Sequence, residues 1–170
     1  MTTHDLRALY RYDSWANEQL LAVISQLTPE QFTRPVAGAY GSVRNTMVHV
    51  YSAEWGWVER SGGPARGDRL DPEDYPTPDS LAALWRKVEA LIAEFLSGLT
   101  DDDLSRPVEF QLGQGSKQVM VVGELLQHGA IHAVHHRGQV ALLLRSLGFT
   151  PGNFDLLLFV EANPRAGSSA

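Results

Sequence analysis

Apolar residues recur at helical spacing in four separate stretches of this chain. The first runs from Thr3 to Leu27, with Leu6, Leu9, Tyr10, Ala16, Leu20, Val23, Ile24 and Leu27 on one face. Thr28-Pro29-Glu30 breaks it and opens a short extra turn around Phe32. Residues 34–41 hold Pro35, Gly38 and Gly41 and read as a loop. Ser42 is placed to cap a second helix, Val43 to Arg60, whose apolar line is Val43, Met47, Val50, Trp57 and Val58. Ser61-Gly62-Gly63-Pro64 stops it. Residues 64–76 form a polar, proline-rich connection, longer than bundle turns usually are and so suited to covering something. Thr77-Pro78 opens a third helix, Pro78 to Leu99, with Leu81, Leu84, Val88, Leu91, Ile92 and Phe95 on its core face. The stretch RPVEFQLGQGSKQVMVV has a glycine turn between two partly alternating runs, either a small hairpin or an extended loop. A fourth helix spans Val122 to Leu147 and ends at Gly148, with Pro151 beyond. Four long amphipathic segments without central strands predict an all-α fold, an antiparallel four-helix bundle over residues 1–163 with a flexible tail at 164–170.

Composition narrows the function. At 170 residues the chain is long enough for one real core, and its formal net charge of -6 argues against an electrostatic nucleic-acid footprint. No basic run suits an anionic membrane surface, and no apolar stretch approaches a membrane span. With no cysteine, disulfides, iron–sulfur clusters and thiolate-bound zinc are excluded. The charged N-terminal stretch lacks the apolar core of a signal peptide, so a cytoplasmic protein is expected.

Against this ordinary background, HGAIHAVHHRGQ places four of the chain's six histidines within nine positions of the fourth helix. At 100° per residue, Leu125, His128, His132, His136, Gln139 and Leu143 share one face, which puts the histidines in the stripe expected to be buried. Buried imidazoles need partners. His132 and His136, four residues apart, can converge on one metal ion. The third ligand then has to come from another helix, and His49 is the histidine of the second helix; His4 is at the start of the chain. His128 is a ligand, a partner of His132 or plain packing, and His135 points about 60° away from His132. Three histidines without cysteine leave open positions, the pattern of a reactive site, where a bound water is acidified. All-nitrogen ligation suits Zn, Ni, Fe, Co or Mn.

Glu54 falls within the apolar stripe of the second helix. It is a candidate catalytic residue, as a general base or as acceptor for a histidine N–H, or else a buried partner of Arg137 or Arg11. Trp15, Trp55, Trp57 and Trp85 read first as core or dimer-interface packing.

These residues resemble the DinB/YfiT-like family, named for damage-inducible expression. LLQHGAIHAVHHRGQVALLLRSLGFTPGNFDLLLF is similar to the family's closing helix with its HxxxHRGQ core. HVYSAEWGWVER, YRYDSWANEQLL and LTPEQF resemble its second-helix and opening motifs, so the likeness covers nearly the whole chain. The resemblance implies a four-helix bundle, often a homodimer, with a divalent metal on His49, His132 and His136. Relatives are metal-dependent hydrolases, or transferases and isomerases that use low-molecular-weight thiols such as bacillithiol or mycothiol. The function this implies is a metal-dependent enzyme acting on a small molecule; the alternative is a non-catalytic metal- or ligand-binding protein of a stress response. Beyond Arg44, Arg60 and Arg66 the sequence offers no clamp for a substrate.

Overall fold

The computed structural model describes residues 1–67 and 69–163, and the expected tail at 164–170 lies outside these. In chain order the elements are α1 (Thr3–Ile24), α2 (Pro29–Thr33), α3 (Val43–Arg60), α4 (Pro78–Gly98), β1 (Pro107–Gln111), β2 (Lys117–Val121), α5 (Val122–Ser146) and α6 (Leu156–Ala162). The four long helices make the bundle. α3 packs against both α4 and α5, and α1 closes the ring by packing against the same two.

Local chemistry sets the helix starts. Thr2 and Asp5 cap each other across the first turn of α1, and Thr28 with Gln31 does the same for α2. Ser42 accepts from the Asn45 N–H at α3, and Thr77 accepts from that of Ser80, with Pro78 as the first residue of α4. At α5 the cap is reversed, since Glu124 accepts from the Val121 N–H at 3.0 Å. The C-terminus of α5 turns on Gly148, whose φ of 87° falls in the left-handed region, so that the Phe149 N–H reaches the Leu144 carbonyl at 2.9 Å.

Leu6, Leu20, Ile24, Met47, Leu81, Leu126 and Leu144 are among the fully buried side chains, each contributing about 1.5–3 kcal/mol of transfer free energy. α1 stops at Ile24 rather than Leu27; residues 25–27 continue as a tight turn that still buries Leu27. The ambiguous stretch before α5 is a hairpin, with Pro107 opposite Val121 and Gln111 opposite Lys117. Its Phe110 packs edge-on against Trp57, 5.7 Å between centroids. One α-helix was not expected: α6, capped by Asp155, which lays Phe159 against Tyr12 and Trp15 of α1. No helix among the described residues is long and apolar enough to cross a membrane.

Candidate metal centre

The seam between α3 and α5 brings His49, His132 and His136 together, with one nitrogen from each lying within 4.8 Å of the other two. His132 Nε2 stands 3.0 Å from His136 Nε2 and 3.3 Å from His49 Nε2. Three nitrogens each 2.0–2.1 Å from one tetrahedral ion stand about 3.3–3.4 Å apart, so the donor set fits a transition ion with little adjustment. Ring nitrogens this close are held together either by a proton or by a cation. Burial favours the neutral, ligating form: desolvation first, and neighbouring histidines second, bring His49 and His132 down from 6.5 to about 4. His136 is also lowered, mainly by burial.

The surrounding groups fix the rings. His136 Nδ1 lies 2.7 Å from Gln139 Oε1, and Tyr40 stacks on His49 at 3.9 Å between centroids. Tyr40 reaches that position from a turn whose Gly38 and Gly41 have φ of 97° and 86°, conformations that favour glycine. Nδ1 of His132 is buried without a hydrogen-bond partner.

The buried stripe expected for the histidines holds only in part. His136 is buried and His132 half-buried, but His128 is exposed; His135, expected to point away from this stripe, is exposed too. A helical projection gives direction and not depth: Leu125, at the start of this face, is fully buried, while His128 one turn on is exposed. His128 packs edge-on against Trp57, at 4.6 Å, and is the plain-packing case. His135 Nε2 sits 3.1 Å from Gln139 Nε2.

Glu54 is fully buried, and neither of its oxygens has a hydrogen-bond donor, so it is not the acceptor for a histidine N–H. Its neighbours are Asp13 and Arg137. Burial, then the Asp13 carboxylate, push the Glu54 carboxyl well above the usual range, and Arg137 opposes this less strongly. Protonated, Glu54 can donate to Asp13; ionised, it has no donor. Arg137 Nη1 donates to Asp13 Oδ1 at 2.6 Å, with both side chains 1% exposed. Asn17 completes the group by donating to Asp13 Oδ2. Asp13 escaped the sequence reading, although it lies between Tyr10 and Ala16 on the apolar face of α1, the same signal that singled out Glu54.

The three candidate clamp arginines are already engaged within the protein. Arg44 pairs with Glu73, Arg60 donates to the Gly56 carbonyl, and Arg66 donates to the Ser52 carbonyl and hydroxyl. A cavity of about 410 Å³ does open beside His49, lined among others by Tyr40, Asn45, Ser52, Arg69 and Leu70. The last two come from the long connection, which thus forms one wall of the cavity.

The whole chain can be placed by comparison. Residues 1–167 match the DinB family, and the chain belongs to it. It is 25% identical over 167 residues to the protein DinB of Bacillus subtilis, covering 93% of this chain and 96% of that protein. Another B. subtilis relative, the uncharacterized protein YizA, is 22% identical over 142 residues, covering 84% of this chain and 87% of YizA. Among solved structures, a DinB-like protein from Bacillus cereus superposes with a TM-score of 0.76 at 25% identity, covering 89% of this chain and 97% of its own. The DinB-like protein YjoA of B. subtilis gives 0.65 at 17% identity, with the same coverage, and supports the fold alone.

Proposed function

We propose that this chain is a metal-dependent enzyme acting on a small molecule, with His49, His132 and His136 as ligands of one divalent transition ion. The observation that carries the reading is the convergence of three imidazole nitrogens from α3 and α5 beside a cavity of ligand size. The ion, when bound, supplies Lewis acidity to water or to the sulfur of a low-molecular-weight thiol. The chain's own residues supply the rest. The three rings stay neutral through burial, Tyr40 holds one face of His49, and Arg69 brings positive charge to the cavity wall. Both the thiol-transferase and the hydrolase types fit this arrangement.

The test is to load the protein with Zn, Ni, Mn, Fe or Co and screen thiol cofactors and hydrolysable substrates against wild type and His132→Ala. Metal-dependent turnover lost in the variant supports the reading. Tight metal with no turnover and no exchange of water or thiol would make the protein a non-catalytic binder.

A homodimer belongs to the same proposal, through the outer face of α5. Ile131, Val134 and Leu142 are exposed there, around Gly138, where an added Cβ would meet nothing. The face is self-complementary for an antiparallel pair of α5 helices centred between residues 134 and 135. Glu124 of one copy then meets Arg145 of the other, and Ile131 lies opposite Gly138.

A further inference from the structure

HHRGQ carries two metal-ligand or neighbouring histidines and one glutamine, and the glutamine's position relative to both rings defines a role for it. Gln139 Oε1 lies 2.7 Å from His136 Nδ1, and its Nε2 lies 3.1 Å from His135 Nε2. A carbonyl oxygen can only accept, so His136 Nδ1 carries the hydrogen and donates. An amide NH₂ can only donate, so His135 Nε2 is the acceptor. The consequence is directional. With its hydrogen on Nδ1, His136 turns a bare Nε2 lone pair towards His132 Nε2, 3.0 Å away, and so into the three-histidine cluster.

We infer that Gln139 is a positioning residue, whose amide, itself aligned by His135, sets the tautomer of His136 so that Nε2 is free to ligate. The inference rests on the metal-centre reading for its consequence, but the tautomer exists with or without an ion. Gln139 is half-buried on the same helix as both histidines, three residues after one and four after the other. That spacing sets Gln139 one turn beyond both rings, in a direction between theirs, so backbone geometry holds the relay in register. An opposite amide orientation would place the hydrogen of His136 on Nε2, aimed at the cluster, and block it. His135, exposed and outside the ligand set, thereby gains a function as the second partner of the amide: without it the amide is held by His136 alone.

Three variants separate the possibilities. Gln139→Leu removes the acceptor. Gln139→Glu keeps an acceptor for His136 but cannot donate to His135. His135→Phe leaves the amide without its second partner. The tautomer is read from the ring ¹⁵N shifts and long-range ¹H–¹⁵N correlations of His136 in metal-free protein. Metal affinity is read by Co²⁺ titration, followed by visible absorption, and by Zn²⁺ competition against a chelator. The expected result is an Nδ1–H His136 in wild type and Gln139→Glu, lost in Gln139→Leu. Affinity should fall about 10–100-fold in Gln139→Leu, be retained in Gln139→Glu, and fall less in His135→Phe. An Nε2–H His136 in wild type, or a Gln139→Leu protein with unchanged tautomer and affinity within threefold, overturns the inference. Should wild type bind no Co²⁺ or Zn²⁺, the metal reading fails, and the tautomer measurement still decides the role of Gln139.

Discussion

Replacing Arg137 by Met removes the one cation in a buried group that also contains Asp13 and Glu54. Arg137 and Asp13 are each 1% exposed, so water cannot take over the role of the guanidinium. Breaking such a pair from one side costs about 3–5 kcal/mol. The lower end applies here: only Nη1 is engaged, to Asp13 at 2.6 Å and to Asn17 at 3.3 Å, while Nε and Nη2 have no partner. A loss of about 3 kcal/mol, at an m-value of about 2 kcal/mol/M, lowers the urea midpoint by about 1.5 M. The assay is equilibrium urea unfolding at pH 7 in the presence of chelator, which keeps the neighbouring histidines out of the comparison. Asp13→Asn should cost less, about 1–2 kcal/mol, because Glu54 can ionise and replace the lost carboxylate. The double variant Asp13→Asn/Glu54→Gln leaves Arg137 with no anion, so its loss should exceed the sum of the singles by at least about 1 kcal/mol. An Arg137→Met midpoint within 0.2 M of wild type, taken as roughly the size of a surface substitution, would refute the account of the buried group.

Other outcomes follow from the same structure. Because His49 and His132 are held at about 4 against 6.5, the unfolded chain binds more protons between those values. Metal-free stability should therefore rise from pH 4 to 6.5 and level off above, and His49→Gln should flatten that slope in a urea series; an equal slope in both proteins would contradict the burial of the rings. Glu54→Gln removes a carboxyl whose raised folded value makes the protein lose stability as pH climbs above 4.5, so this variant should be no less stable than wild type at pH 8. Retained metal and lost turnover in Glu54→Gln would instead assign it the general-base role. Zinc at 100 times its Kd should stabilise wild type by about 2.7 kcal/mol, read as a higher Tm, and should not shift His132→Ala. On the proposed dimer face, Leu142→Glu should give a monomer by light scattering, and Glu124→Arg with Arg145→Glu together should restore the dimer that either change alone weakens.

The bundle was legible because the information is local and repeated. Caps at Ser42 and Thr77, the stop at Ser61-Gly62-Gly63 and the leucine stripes bound three of the long helices to within a residue. α6 was not legible: Leu156 to Val160 is a short apolar run after Pro151 and shows no second turn of periodicity, and its one signal was Asp155 in the capping position. The histidine cluster was legible as a pair, four residues apart, plus the histidine of another helix. Depth was not, so His128 was placed in a buried stripe when it is exposed. Tyr40 left no trace because it sits in a glycine loop, where no periodicity points to a partner. Asp13 was visible by the rule used for Glu54, a carboxylate in an apolar stripe, and its i+4 neighbour Asn17 strengthens that signal.

The central claim is that three histidines from two helices bind one metal ion. It is tested most directly by metal analysis of protein purified without a histidine tag, alongside His49→Ala. The account predicts about one equivalent of a transition metal in wild type and its loss in the variant, since α5 alone supplies only two ligands. Wild-type protein that takes up none when offered Zn, Ni, Mn or Fe, or a His49→Ala protein that keeps a full equivalent, would contradict it.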